Sequence, residues 1–184
     1  MAKHDEAVAI RAGLEGDGAL SAGDLLVHTF NEVRDELIST LAYMLGNRED
    51  AKDAAQDSFV KCWNARDQLH QVVNLRAWVF RVALNTAKDM QRSAWSRRSR
   101  PLQAEQHTMA GKETAPEIAL ENKETLEQVR SAILKLRHEE KEVFLLRQNG
   151  QFTYEQIAEI RGCPVGTIKT QMRTALDKLR KMLV

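Results

Sequence analysis

Residues 153–180, TYEQIAEIRGCPVGTIKTQMRTALDKLR, decide how the C-terminal part of the chain folds. Thr153 suits a helix N-cap, and Gln156 three positions later completes a capping box. Gly162 can adopt the left-handed conformation that ends a helix, and Pro164 fits the first turn of the next one. The segment therefore predicts a short helix, a tight turn and a longer helix, which is the arrangement of a helix-turn-helix.

The longer helix of this pair has two distinct faces. Its predicted buried stripe consists of Val165, Ile168, Met172, Ala175/Leu176 and Leu179. The opposite, polar face carries Gly166, Thr167, Lys169, Thr170, Arg173, Thr174 and Asp177. Hydroxyl groups, a Lys and an Arg near the start of such a helix suit the base edges and phosphates of DNA. A solvated amphipathic helix is the alternative, but the capped first helix, the turn and the small residues at the entry favour DNA binding.

The amino-acid composition favours an all-α protein. Hydrophobic residues make up 43% of the 184 residues, whereas aromatic residues make up 5% and only three prolines occur. Good helix formers abound and β-branched runs are few, so there is little from which to build a sheet. The apolar content is enough for one domain or two small ones, and it argues against global disorder.

Positive charge is concentrated in two segments, although the formal net charge is only +1. Residues 76–100 contain seven Lys or Arg and one acid, and residues 161–184 contain six and one. The stretch 105–127 between them is acidic. Two separated basic patches suggest two contacts with one long anionic ligand.

Nothing in the sequence points to a metal, a cofactor or a disulfide framework. Cys62 and Cys163 lie outside any C-x-x-C pattern, and the five histidines show no ligand spacing. No Gly-rich phosphate loop, nucleophile elbow or H-E-x-x-H motif occurs. No apolar stretch approaches membrane-spanning length, and the N-terminus lacks the apolar region of a signal peptide. We therefore expect a cytoplasmic protein with no membrane contact of its own.

Helical periodicity marks three helices in the N-terminal part. The first is predicted to start at Asp24 as its N-cap and to end at Gly46. The second is REDAKDAAQDSFVKCWNAR, with a predicted inward stripe of Ala51, Ala54/Ala55, Phe59 and Cys62/Trp63. The third is LRAWVFRVALNTAKDMQRS, with Leu75, Trp78/Val79, Val82, Thr86 and Met90 predicted on one face. Residues 67–74, DQLHQVVN, break the pattern and are predicted to be a loop.

These patterns predict two small helical domains joined by a flexible linker. We expect a flexible N-terminal extension over 1–23, a three-helix bundle over 24–96, a linker over 97–116 and a four-helix domain containing the helix-turn-helix over 117–184.

Two blocks of this sequence resemble one protein family. FTYEQIAEIRGCPVGTIKTQMRTALDKLR is similar to the C-terminal domain of bacterial extracytoplasmic-function (ECF) sigma factors. EDAKDAAQDSFVKCWNARDQL and NLRAWVFRVALNTAKDMQR are similar to their N-terminal domain. The resemblance covers about residues 24–184 and leaves the N-terminal extension unexplained. It implies a dissociable specificity subunit of RNA polymerase, in which the chemistry belongs to the polymerase and this chain is not an enzyme.

The resemblance implies a role for each domain. The N-terminal domain, sigma region 2, would bind core polymerase and open DNA at the minus-ten element, and the C-terminal domain, sigma region 4, would bind the minus-thirty-five element. The helix that contains residues 50–66 would dock on the coiled coil of the largest polymerase subunit. Its implied contact residues are Asp53, Gln56, Asp57, Val60 and Lys61. An ordinary solvated face is the alternative, because such i,i+4 charge patterns are common.

The DNA contacts implied by the resemblance fall in three groups. The loop 67–74 would capture a base flipped from the non-template strand, with hydrogen bonds from Gln68, His70, Gln71 and Asn74. Phosphate contacts near the melted region would come from Arg76, Arg81, Asn85, Lys88 and Arg92. The minus-thirty-five contacts would come from Thr167, Lys169, Thr170, Gln171, Arg173 and Thr174. We assign Trp78 to the core rather than to base stacking, because it lies on the predicted apolar stripe.

Two other classes of protein compete with this interpretation. A stand-alone operator-binding regulator would share the helix-turn-helix but would need a sensor or dimerisation domain, which residues 24–96 do not resemble. A helical adaptor would leave both basic faces in solvent. The resemblance further implies control by an anti-sigma factor that covers the surfaces for polymerase and DNA.

Overall fold

The computed structural model describes residues 21–98 and 119–183, with side chains over 21–93 and 124–183. Most of the predicted N-terminal extension and of the predicted linker lies outside these residues. The N-terminal domain contains α1 (Ala22–Leu45), α2 (Arg48–Asn64), a 3₁₀ helix (Arg66–Gln71) and α3 (Leu75–Arg98). The C-terminal domain contains α4 (Ala119–Leu134), α5 (His138–Gln148), α6 (Tyr154–Arg161) and α7 (Val165–Leu183). The described residues are therefore organised as the predicted all-α fold of two helical domains.

The start of α1 differs from the prediction. Ser21, not Asp24, is the N-cap, and its hydroxyl oxygen accepts a hydrogen bond from the Asp24 backbone N–H at 3.1 Å. Asp24 instead occupies the third helical position, where its carboxylate accepts from the Ser21 backbone N–H at 3.3 Å. This capping box satisfies two backbone donors at once, so it starts the helix earlier than the apolar periodicity does. Gly46 ends α1 as predicted, in the left-handed conformation with φ 79°.

The predicted loop 67–74 is partly helical. Residues Arg66–Gln71 form a 3₁₀ helix, which buries Leu69 against the N-terminal core. Asn74 then caps α3, because its Oδ1 accepts a hydrogen bond from the Ala77 backbone N–H at 2.7 Å. The segment between α2 and α3 is thus held at its middle and at its end, while its polar side chains stay at the surface.

The helix ends on either side of the predicted turn agree with the sequence pattern. Thr153 and Gln156 form the predicted capping box at the start of α6. Gly162 ends α6 in the left-handed conformation, with φ 64° and ψ 38°, and α7 begins at Val165. Ile157 of α6 and Ile168 of α7 are fully buried on the inner side of this turn. Their packing sets the angle between the two helices of the helix-turn-helix.

Several aromatic and aliphatic side chains on the predicted stripes are less buried than predicted. Trp63 was predicted to point inward, but it is 38% exposed and packs beside Phe59, with ring centroids 6.0 Å apart. Leu176 was predicted on the buried stripe of α7, but it is 44% exposed, because Ala175 alone faces the core at this turn. Val82 of α3 is only partly buried.

The two domains pack against each other through α3 and α6 and through α1 and α5. Phe80 of α3 and Phe152, which precedes α6, meet edge to face with ring centroids 4.9 Å apart. Both rings are almost completely buried. As a result α3 is covered on two sides, by its own bundle and by the C-terminal domain, which a single apolar stripe did not predict.

Candidate nucleic-acid and polymerase interfaces

The polar face of α7 is open to solvent. Thr167, Lys169, Thr170 and Arg173 are exposed, while Gln171 and Thr174 are half-buried. The Thr170 hydroxyl donates to the Gly166 carbonyl at 2.9 Å, and the Thr174 hydroxyl donates to the Thr170 carbonyl at 3.0 Å. The oxygen lone pairs of the Thr170 and Thr174 hydroxyl groups thus remain available as acceptors. The two cations of this face, Lys169 and Arg173, can contact phosphates or base edges.

Gln171 has a partner inside the domain. Its Oε1 accepts a hydrogen bond from Arg161 Nη1 at 3.2 Å. Arg161 also places its Nε 3.0 Å from Glu142 Oε2 and donates to the Glu139 carbonyl. Gln171 therefore helps to orient α6 against α7. Because its Oε1 is already engaged, its side-chain amide N–H groups would make any hydrogen bond to DNA.

Ion pairs from α5 hold the helix-turn-helix in place. Lys178 of α7 lies 2.7 Å from Glu140 Oε1, and the Glu140 side chain is only 8% exposed. Glu140 also accepts a hydrogen bond from the Arg137 backbone N–H at 3.2 Å. Lys178 Nζ also donates to Glu140 Oε2 at 2.8 Å. With these three contacts the nearly buried carboxylate fixes the C-terminal half of α7, so the exposed face of the helix is presented on a rigid support.

The polar residues after α2 cluster on the 3₁₀ helix. Gln68, His70 and Gln71 are exposed. His70 Nδ1 lies 2.8 Å from the Asp67 carbonyl oxygen, and Gln71 Nε2 lies 3.1 Å from His70 Nε2. This pairing indicates a ring with the proton on Nδ1, donating to the carbonyl and accepting from Gln71 at Nε2. The side chains of His70 and Gln71 are therefore held in a fixed orientation by these two contacts.

A pocket of about 220 Å³ lies where the 3₁₀ helix meets α3. It brings together Gln71, Asn74 and Arg81, three of the residues predicted to contact the minus-ten element. Trp78, which we assigned to the core from the sequence, is only partly buried: it packs against the core and also lines this pocket. Glu159 and Ile160 from α6 of the C-terminal domain also line this pocket.

The cations predicted along α3 are not equally available. Arg81 and Asn85 are exposed, and Arg92 is exposed with its Nη1 3.7 Å from Asp89. Lys88 and Arg76 instead contact the C-terminal domain. Lys88 Nζ lies 2.8 Å from Glu142 Oε1, and Arg76 Nη2 donates to the Gly150 carbonyl at 3.2 Å. Of the residues predicted on α3, three are therefore exposed to solvent and two are in contact with the C-terminal domain.

The predicted polymerase-binding residues form one exposed face of α2. Asp53, Gln56 and Asp57 are exposed, and Val60 is 50% exposed among them. Lys61 lies at the edge of this face, because its Nζ donates to Thr86 Oγ1 on α3 at 3.0 Å. An aliphatic side chain left in solvent between acids and an amide is typical of a protein-binding surface.

Trp63 is a candidate interface residue that the sequence reasoning missed. It lies one turn after Val60, and the Arg66 guanidinium carbon stands 4.9 Å from its ring centre. The signal available in the sequence was Arg66 three residues later, at the spacing that brings helical neighbours together. The α2 face therefore includes an aromatic side chain, a type enriched in protein interfaces.

Two family models match separate parts of the chain. The model described as Sigma-70 region 2 matches residues 29–97, and the model described as Sigma-70, region 4 matches residues 126–179. The first covers the N-terminal domain with its α2 face, and the second covers the helix-turn-helix domain. The fold and these two matches define a sigma-70-type transcription initiation factor.

Curated relatives narrow the class. The ECF RNA polymerase sigma-E factor of Escherichia coli (strain K12) is 30% identical over 145 residues, covering 73% of this chain and 76% of that protein. The RNA polymerase sigma factor YlaC of Bacillus subtilis (strain 168) is 26% identical over 158 residues, covering 86% of this chain and 91% of that protein. This chain belongs to the ECF RNA polymerase sigma factors, which bind core RNA polymerase and promoter DNA.

Solved structures share the fold. The sigma factor RpoE of Bartonella quintana, in complex with the anti-sigma factor NepR, gives a TM-score of 0.64 at 22% identity and covers 86% of this chain and 93% of that chain. CnrH in complex with the cytosolic domain of CnrY gives 0.62 at 22% identity and covers 97% and 96%. Within the part of the chain that the structure describes, no helix has the length and apolar character needed to cross a bilayer.

Proposed function

We propose that this chain binds core RNA polymerase through the exposed face of α2, directs it to specific promoters through α7 and helps to open the minus-ten element through α3 and the 3₁₀ helix. The observation that carries the proposal is the exposed Val60 on an acidic face, in the same chain as a capped helix-turn-helix with a basic outer face. In this role the chain positions DNA and polymerase and catalyses no reaction itself. It acts in the cytoplasm, where core polymerase transcribes.

The arrangement of the helices supports the domain assignments that we propose. Residues 24–96 would form the unit for core polymerase and the minus-ten element, and residues 117–184 the unit for the minus-thirty-five element. A linker over 97–116 would set the distance between the two promoter contacts. The exposed Lys169 and Arg173 support the second assignment, because both lie on the side of α7 away from the domain core.

The pocket between the 3₁₀ helix and α3 is our candidate for the flipped base. Gln71, Asn74 and Arg81 offer an amide, a second amide and a guanidinium at its lining, and Trp78 offers part of an aromatic wall. A base leaving the stack needs hydrogen bonds and apolar contact to offset a few kcal/mol of unstacking. Gln68 and His70 lie next to this pocket on the 3₁₀ helix and would contact the neighbouring nucleotides.

We further propose that an anti-sigma factor controls this chain. The solved relatives with the same fold are complexes of sigma factors with such proteins. In this chain the exposed Val60 and Trp63 give an anti-sigma factor apolar anchors on the surface that core polymerase would use. Binding there would exclude the polymerase directly.

Co-elution with bacterial core RNA polymerase in gel filtration tests the proposal. We expect the wild-type chain to co-elute and the variants Asp57→Ala and Val60→Glu to do so weakly or not at all. Glu32→Ala is the matched control, because it removes an exposed acid from α1 outside the proposed face and should co-elute normally. If the folded wild-type chain, free of other proteins, does not co-elute, the sigma function is refuted. If all variants co-elute equally, α2 is not the docking helix.

A further inference from the structure

A second cleft, of about 670 Å³, lies along α1. Two neighbouring rows of α1 side chains form one wall: Arg34, Ile38 and Ala42, and beside them Asp35, Ser39 and Tyr43. Residues four positions apart lie one above another on a helix, so this wall is continuous over more than two helical turns. Residues from the start of α2 and from α4 complete the lining. The volume falls within the range of ~300–1,000 Å³ that is usual for small-molecule pockets.

Positive charge dominates the lining of this cleft. It contains four cations, Arg34, Arg48, Lys52 and Arg130, against one acid, Asp35. Three of the four cations are arginines, whose planar guanidinium groups can give two hydrogen bonds to the oxygens of one phosphate group. A concave surface with an excess of one charge concentrates small ions of the opposite charge. The cleft therefore suits an anion.

Two of these cations have weak partners outside the cleft. Lys52 Nζ lies 2.8 Å from Glu49 Oε1, but the two side chains are 51% and 75% exposed. Arg130 Nη1 lies 3.9 Å from Glu127 Oε1, and the Glu127 side chain is 65% exposed. Ion pairs in solvent contribute little free energy, so a bound anion can take over both cations at small cost.

The other two cations, Arg34 and Arg48, are exposed, and neither forms an ion pair within the part of the chain that the structure describes. Arg48 occupies the first helical position of α2, directly after the N-cap Asn47. The unpaired N–H groups make this end of a helix positive, so a cation here does not stabilise α2. An anion beside Arg48 would be favoured by the guanidinium and by the helix end together.

The rest of the lining suits a ring and a sugar. Tyr43 is half-buried and contributes an aromatic ring, and Ile38 adds apolar surface. Ser39 Oγ accepts a hydrogen bond from Asn149 Nδ2 at 3.2 Å, which leaves its own O–H available to donate. The Asp35 carboxylate can accept from a hydroxyl group of a ligand.

We propose that this cleft binds a nucleoside diphosphate. The arginines hold the phosphate groups, Tyr43 contacts the base, and Asp35 and Ser39 contact the sugar. Four cations less one acid leave the lining a net charge of +3, and one phosphate group carries only about −1.5 to −2 at neutral pH, so two phosphate groups match the lining better than one. None of the lining residues is assigned to polymerase or DNA, so this inference does not depend on the proposed function.

Isothermal titration calorimetry of the full-length chain tests the proposal. The ligands are ADP, GDP, CDP and UDP, each titrated alone at ~0.15 M salt, where unspecific attraction to surface charges is screened. We expect at least one of them to bind. Arg34→Gln and Arg48→Gln should each weaken that binding about tenfold, as expected for the loss of a charge-assisted hydrogen bond. Arg180→Gln is the matched control, because it removes the same charge from an exposed position on α7 outside the cleft, and it should bind like wild type.

Two further measurements separate ligand contacts from effects on the fold. Without nucleotide, Arg48→Gln should keep or raise the thermal unfolding temperature, because it removes a cation from the start of α2. Tyr43→Leu, shown to be folded by circular dichroism, should weaken nucleotide binding but leave the binding of inorganic pyrophosphate unchanged. This difference would assign the base to the Tyr43 ring.

Four results would overturn the proposal. The first is no binding of any of the four nucleotides at ~1 mM. The second is equal nucleotide binding by wild type, Arg34→Gln and Arg48→Gln, which would place the nucleotide elsewhere on the chain. The third is pyrophosphate binding as tight as nucleotide binding, which would make the cleft a site for phosphate groups alone. The fourth is a single-stranded DNA oligonucleotide that binds and is weakened by both arginine variants while the nucleotides do not bind.

Discussion

Gly162, at the turn of the helix-turn-helix, offers a test in which structure fixes the expected energy. Its φ of 64° and ψ of 38° are left-handed, and its N–H donates to the carbonyls of Ala158 and Glu159. A Cβ added at this position meets no atom within 4 Å. Gly162→Ala therefore keeps the hydrogen bonds and introduces no clash, so its cost is the backbone conformation alone.

That cost can be estimated from two opposing effects. An L-residue in the left-handed region costs about 1–2 kcal/mol. Replacing Gly by Ala also restricts the unfolded chain, which returns about 0.4–1 kcal/mol. We expect Gly162→Ala to lower the free energy of unfolding of the C-terminal domain by about 1 kcal/mol, the net of these two effects.

Gly166 is the matched control, with the opposite sign expected. It lies in the first turn of α7 with no positive φ, and a Cβ there also meets no atom within 4 Å. Gly166→Ala should raise the free energy of unfolding by up to about 1 kcal/mol, because Ala is the better helix former.

Urea unfolding followed by circular dichroism measures both variants. The tryptophan fluorescence of the same samples reports the N-terminal domain, because all three tryptophans precede residue 96. Equal stability of Gly162→Ala and wild type, or shifts of the same sign in the two variants, would refute the reasoning from the turn geometry.

Three further predictions concern single side chains. Burial raises the pKa of the Cys62 thiol to about 12, so iodoacetamide should modify the half-buried Cys163 first in the native chain; mass spectrometry showing equal labelling would contradict this. Burial lowers the pKa of His138, so the unfolded chain binds that proton more readily than the folded chain does. This contribution to stability is complete above about pH 6.5 and is lost as the pH falls through that value towards the lower folded pKa. Thermal unfolding between neutral and mildly acidic pH should show this loss, and His138→Gln should reduce it; an unchanged slope would exclude His138 as its source. Thr153→Ala should cost about 1 kcal/mol through loss of the α6 cap, whereas Thr153→Ser should cost much less, as judged by urea unfolding; equal losses would assign the effect to the Thr153 methyl group instead.

The local signals of the chain predicted most of the helix boundaries. The cap at Thr153 and the left-handed Gly46 and Gly162 depend on neighbours within a few residues, so spacing alone predicts them. Asp24 was wrong as an N-cap because both Ser21 and Asp24 are good capping residues, and apolar periodicity does not choose between them.

Contacts between the two domains could not be predicted from local residue spacing. Lys88 and Glu142 are 54 positions apart, and nothing in their local sequence pairs them. The exposed positions of α2 were correctly predicted for Asp57 and Val60, since they lie opposite a strong alanine stripe. Whether those positions and the exposed residues of α7 contact polymerase and DNA remains a prediction from the resemblance.

The edge-to-face pair of Phe80 and Phe152 has a consequence for solubility. Each ring is almost fully buried only while the two domains are together. An aromatic side chain buries about 150–250 Å², so separating the domains exposes the apolar surfaces of both rings to water. An isolated chain with separated domains would be prone to self-association. Either domain expressed alone would carry one exposed aromatic surface with the same tendency. In the cell, a chain with separated domains is therefore best tolerated when another macromolecule covers those rings as soon as they are exposed.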